Sequence, residues 1–242
     1  MGVKRFRFWV RPALQFRLFG FPLAIAWSTL LFAVVPLVQL AIGTRDALTP
    51  ALIPVWLGVV VLSILVHELG HAFAARRYAL EPVSVTVHGI GGYCEHRVGG
   101  SHAQKLVVAL AGPAAGVGLG LLAYLVGQAV DVRTVEPTGM LEYFRWGLVY
   151  VAVLWSGLNL LPVRPLDGGA ALTAILHMTT PATAMPIAWA VGFVTAAVGA
   201  IVALLLPTPE PFIAVMGVLF AYHNGRSLWR WYRADAARPR KG

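Results

Sequence analysis

Two histidines and a glutamate fall within five positions of one another inside an apolar run. The run is Pro54–Tyr78, and its centre reads Val66-His67-Glu68-Leu69-Gly70-His71. The pattern is H-E-x-x-H. On a helix, residues four apart project from one face, about 40° apart around the axis, so His67 and His71 can share one divalent ion. Glu68 lies about 100° round from His67 and can face a water on that ion without being a ligand. Zinc lowers the pKa of such a water towards ~7 and polarises a carbonyl. A carboxylate beside it can take the proton and pass it to a leaving amine. Together these residue types can hydrolyse an amide bond. An ionisable side chain at a bilayer centre costs about 2.5–3.5 kcal/mol on insertion scales, so three of them here need a partner. The competing use is an ion or proton path in a transporter or channel, since intramembrane His and Glu also mark such paths.

A catalytic zinc takes a third protein ligand and keeps one position open. Asp46, Asp131, Glu136, Glu142 and Glu210 fall on the opposite side of the membrane by the charge argument below, and Asp235 lies in a basic tail. Glu81 and Glu95 flank a glycine-rich segment. Asp167 stands at the end of a later apolar segment, within Asn159-Leu-Leu-Pro-Val-Arg-Pro-Leu-Asp-Gly-Gly169, on the same side as the histidines. Its prolines stop a helix, and its glycine pair lets backbone approach another element. Asp167 is the best third ligand. The single cysteine, Cys94, excludes an internal disulfide and a four-cysteine zinc site.

The elements that must position these groups are membrane spans. Only 12% of the 242 residues are charged, 58% are hydrophobic, and the mean hydropathy is +0.74. Ordinary soluble domains carry ~25% charged residues. The expected fold class is an all-α polytopic membrane protein of about six transmembrane helices, near 21–42, 53–76, 105–130, 145–163, 185–206 and 211–229. A basic-aromatic interfacial lead-in (residues 1–20) precedes a single transmembrane domain (21–232, catalytic core about 53–170), and a basic tail follows (233–242). The first run is longer than a signal-peptide core and lacks a clear A-x-A site after it, which reads as a retained span. Turn signals separate the spans at Gly43–Asp46, Glu136–Gly139 and Pro207–Pro211.

The net charge of +9 sits at the ends of apolar segments, without a basic face interleaved with aromatics, which excludes nucleic acid as a partner and points to membrane lipid. Six spans put 16 of the 19 basic residues on the side of both termini. That places both termini in the cytoplasm of a multi-pass cell-membrane protein, and the domain-poor, Arg/Ala/Gly-rich chain suggests a prokaryote. Arg76-Arg77 follow His71 by five or six residues, about 8–9 Å of rise, so the ion would lie near the cytoplasmic face.

After the second span, Val83-Ser-Val-Thr-Val87 alternates like a strand, and Gly89, Gly91 and Gly92 follow. A small β-hairpin or re-entrant loop is expected here. Gly112, Gly116 and Gly120 form a small-residue ridge that packs the third span against the metal-bearing spans, with Pro113 kinking it. His88, Cys94, Glu95 and His96 crowd the hairpin but lack the spacing of a second metal site. His102 and His177 are expected at interfaces, and His223 and Asn224 in helix packing.

H-E-L-G-H in an early span followed by N-L-L-P-V-R-P-L-D-G-G near the end of a later one resembles the site-2 protease family of intramembrane zinc metalloproteases. In form it is similar to the compact branch that includes the sporulation factor-processing protease. The resemblance covers roughly residues 53–170. It implies one Zn2+ per chain held by His67, His71 and Asp167, with Glu68 as catalytic base. It implies that Asn159 binds substrate or stabilises the oxyanion, and that the Gly89–Gly92 loop pairs with an unwound substrate strand. The implied partners are a transmembrane protein substrate and a regulatory membrane protein. Gly116 and Ala170 stand where the family commonly has asparagine and arginine; neither is expected to touch the ligands.

Overall fold

The structure, a computed structural model, describes residues 11–41, 50–130, 139–206 and 211–236. The chain divides into two compact units, Met1–Gly99 with Ala111–Gly157 and Gly100–Leu110 with Leu158–Gly242.

In the first unit, β1 (Pro12–Leu18), β2 (Phe21–Ala26), β3 (Ser84–His88) and β4 (Gly91–Glu95) form one sheet in that order. β2 and β3 run parallel, with Leu23 opposite Val85, and the other pairs are antiparallel. The β1–β2 turn has Phe19 and Gly20 at φ 52° and 85°. Two positive φ values in a two-residue turn match the twist of the strands. Arg76 secures this tip: its guanidinium donates to the Phe19 carbonyl at 2.8 Å and lies 4.1 Å over the Phe21 ring. A 3-10 helix (Trp27–Ala33) and α1 (Val34–Ala41) follow β2.

α2 (Leu52–Arg77) carries the histidine pair. Arg76 and Arg77 in its last turn complement the helix dipole. Beyond it, Ala79 turns left-handed at φ 55°, so that Leu80 N–H reaches the Ala75 carbonyl and Ala79 N–H reaches that of Arg76, both at 3.0 Å. This pair of hydrogen bonds satisfies carbonyls a helix end leaves open, with alanine where glycine is usual. Val59, Val60 and Ile64 of α2 bury against Val87 of β3 and against Leu148 and Val151 of α4 (Met140–Asn159). α3 (His102–Ala129) contains Pro113 and the expected glycine ridge. Cβ atoms at Gly112, Gly116 and Gly120 would run into His71 of α2 and into Ser156 and Val153 of α4.

The second unit contains α5 (Asp167–Thr179), α6 (Ala184–Leu205) and α7 (Pro211–Ala236). Ala188, Gly192, Ala196 and Ala200 repeat every four residues on the buried face of α6. Such small residues let helix axes come close without a hydrophobic driving force. A Cβ at Gly217 of α7 would stand 2.9 Å from the Ala196 carbonyl oxygen.

Three of these helices, α2, α3 and α6, are long and apolar enough to cross a membrane, yet only 39%, 39% and 28% of their apolar windows are buried inside the protein. Apolar faces turned outward over such lengths require lipid, so this is a membrane protein. α4 and α7 are 20 and 26 residues long, with Glu142 and Arg145 in α4 and Arg226, Arg230 and Arg233 in α7.

The expected first span is corrected. Residues 21–41 form a strand, a 3-10 helix and a short α-helix instead of one continuous helix, and Pro12–Leu18 of the lead-in is β1. A continuous apolar run has no period of its own, and pairing with β3 captures its first six residues. The fold is therefore helical with a four-stranded sheet, of which the expected hairpin is one half. A second difference is α5, which fills sequence that carried no expected element. The turns at 43–46 and 207–210, most of the break at 136–139, the first ten residues and the last six lie outside the described residues.

Candidate metal centre

α2 presents His67, Glu68 and His71 in a buried stretch, at 1%, 5% and 7% exposure. The two imidazoles meet edge to face, with Nε2 atoms 3.2 Å apart. Two nitrogens each 2.0–2.1 Å from a tetrahedral ion stand about 3.3–3.4 Å apart, so the pair fits one zinc-sized ion. His67, His71 and Asp167 each offer a ligand atom, and these atoms all lie within 4.8 Å of one another. A nitrogen-nitrogen-carboxylate set is a donor set of catalytic zinc. Among the described residues no other group of three His, Cys, Asp or Glu side chains comes together in this way.

The neighbours explain how the imidazoles fit. His71 occupies space that α3 leaves open at Gly112, where any Cβ would strike the ring. Gly116 borders the other ligand: a Cβ there would stand 3.6 Å from His67 Nδ1. The ridge was legible as a packing surface, but its role as the wall of the metal centre was not. β4 covers the glutamate, since a Cβ at Gly92 would lie 2.6 Å from Glu68 Cγ and 2.8 Å from its Oε1. A Cβ at Gly91 would meet Trp155 at 2.9 Å, and one at Gly89 would collide with the Ser28 backbone. The hairpin glycines are thus places of close approach.

Asp167 opens α5 instead of sitting in a turn. The glycines after it are sterically required. A Cβ at Gly168 would enter the Leu160 carbonyl, and one at Gly169 would stand 2.6 Å from Arg164 N. Asn159 is the last residue of α4, eight positions before Asp167.

The remaining candidates around the hairpin stand apart from this cluster. Burial pushes the Cys94 thiol up to about 12, and the negative charge of Glu68 adds to the effect. Burial lowers the pKa of His88, whose ring lies 5.7 Å from that of Tyr93. His96 Nδ1 is 3.0 Å from the Arg97 carbonyl oxygen. His102 and His177 stack on each other at 4.7 Å, between α3 and α5.

Residues 55–133 match Peptidase family M50. The chain is 27% identical over 161 residues to Zinc metalloprotease MJ0392 of Methanocaldococcus jannaschii, covering 66% of this chain and 44% of that protein. It is 29% identical over 122 residues to Stage IV sporulation protein FB of Bacillus subtilis, covering 50% of this chain and 40% of that protein. The chain thus spans less than half the length of these curated relatives. Its fold is similar to that of a site-2 protease from Methanocaldococcus jannaschii, with a TM-score of 0.61 and 21% identity over 89% of this chain and 94% of that one. These findings bear out the resemblance to the site-2 protease family drawn from the two motifs.

Proposed function

We propose that this chain, a site-2 protease family relative through its Peptidase family M50 segment, is a zinc metalloendopeptidase that cuts a peptide bond in or near a transmembrane segment of another protein. The observation that carries the reading is the convergence of His67, His71 and Asp167 ligand atoms within 4.8 Å, with Glu68 next to His67. His67, His71 and Asp167 would hold Zn2+, one per chain. Zinc, when bound, supplies Lewis-acid polarisation of the scissile carbonyl and acidifies water.

The chain's own groups do the rest. Glu68 takes a proton from the attacking water and returns it to the leaving amine nitrogen. Its packing under β4 limits the orientations of the carboxylate. The Asn159 side-chain amide donates to the substrate strand or to the developing oxyanion. β4 is the last strand of the sheet, and its free edge by Gly91 and Gly92 receives an unwound substrate as an added strand. A helical substrate keeps its peptide bonds shielded, so it must open before cleavage.

Around this core the reading keeps one domain over residues 21–232, a tail at 233–242, and a regulatory membrane protein as a further partner.

The test is co-expression of the full chain, wild type and Glu68→Gln, with candidate single-span membrane proteins. The expected result is a trimmed product with wild type, a loss of at least about 10²-fold with the variant, and zinc retained by both. Wild-type cleavage rates in Glu68→Gln would overturn the mechanism. Ion flux in liposomes without any cleavage would favour the transporter reading.

A further inference from the structure

Asn224 of α7 is completely buried, at 0% exposure, and a buried amide is expensive unless it is bonded. Its Nδ2 donates twice, to the Phe220 carbonyl one turn earlier and to the Arg164 carbonyl sixty residues away, both at 2.8 Å. Two carbonyl acceptors fix which end of the amide points where, since Oδ1 in that place would face two oxygens. Oδ1 itself makes no hydrogen bond and points towards α6, where a Cβ at Gly192 would stand 2.5 Å from it. A leucine would fill this space without leaving a buried oxygen unpaired. The donors are what the position uses.

Arg164 lies three residues before Asp167. The same loop is held a second time from α5: the Arg164 guanidinium lies 3.4 Å from Thr173 Oγ1, which donates to the Gly169 carbonyl at 2.7 Å. The loop's own bonds are turns, Val163 N–H to the Leu161 carbonyl and Leu166 N–H to that of Val163, both at 2.7 Å, and these further contacts tie those turns to α5 and α7 just ahead of Asp167.

We propose that Asn224 is a positioning residue for the metal centre, holding the Arg164 carbonyl so that the loop presents the Asp167 carboxylate in ligating geometry. This rests on the reading of Asp167 as a zinc ligand. Asn224 touches neither ion nor substrate. Residues that orient ligands from behind typically control metal affinity by about 10–100-fold.

The experiment measures zinc affinity of the purified full chain by chelator competition, together with thermal unfolding. Asn224→Leu is expected to weaken zinc binding about tenfold or more in the wild-type background and to change it less than about twofold in an Asp167→Ala background, because the loop then carries no ligand. Gly192→Ala, which presses on the same amide from another helix, is expected to reproduce the loss. Unchanged zinc affinity in both Asn224→Leu and Gly192→Ala, or equal losses with and without Asp167, overturns the proposal and leaves a packing role alone. If Asn224→Leu does not fold, Gly192→Ala decides the matter by the same criterion. The underlying reading fails separately: His71→Ala and Asp167→Ala would then leave zinc affinity as in wild type.

Discussion

The two segments that bring ligands to the candidate metal centre are built in opposite ways. α2 is a 26-residue helix whose own hydrogen bonds set the spacing of His67 and His71. It needs its neighbours only to leave room, as Gly112 and Gly92 do. The segment from Leu160 to Leu166 is a run of turns, with Val163 N–H donating to the Leu161 carbonyl and Leu166 N–H to that of Val163, both at 2.7 Å. It is tied down further by Asn224 on α7, by Thr173 on α5 and by close approach at Gly168 and Gly169. A helix transmits ligand spacing through a continuous ladder of local bonds, whereas these turns also depend on contacts from α5 and α7, so the two should fail differently.

The strongest way to break this contrast is to remove one ligand from each. His71→Ala and Asp167→Ala should each lower zinc affinity by more than the about 100-fold typical of residues behind the ligands, as read by chelator competition. If Asp167→Ala stayed within tenfold of wild type while His71→Ala lost zinc, the loop would not be a ligand-bearing segment. Steric probes come next. Gly168→Ala puts a Cβ against backbone and should destabilise the fold by about 1–3 kcal/mol, seen in thermal unfolding. Gly112→Ala puts one against the movable end of His71, so it should weaken zinc binding with little change in unfolding temperature. The reverse pattern would assign rigidity to the wrong segment. The smallest effect tests the self-sufficiency of α2. Ala79→Gly relieves a left-handed alanine in its cap and should stabilise by about 0.5–1 kcal/mol; a loss would mean that the Ala79 methyl is itself packed.

Legibility in the sequence followed the same division. The histidine pair and Glu68 could be read because a four-residue spacing becomes a shared face on any helix. The hairpin glycines could be read as a break but not as the wall against Glu68, since close approach depends on another element. Gly116 could be read as part of a packing ridge, and the fold puts it beside His67. Asn224 looked like packing, because nothing local to it points at residue 164.

Residues 21–41 and 52–77 sharpen the point. Both are apolar runs that could be drawn as spans, and only the second is a single helix. Composition determined that lipid surrounds much of this chain, and the spacing of His67, Glu68 and His71 determined the chemistry of one wall of the site. Tertiary structure decided that Phe21–Ala26 joins a sheet, that Asp167 starts a helix, and that its carboxylate comes within 4.8 Å of the imidazole nitrogens. The physical reason is range. Helical periodicity is written in neighbours four residues apart, but strand pairing and a loop's clamps join residues about sixty apart, and no local pattern encodes those partners.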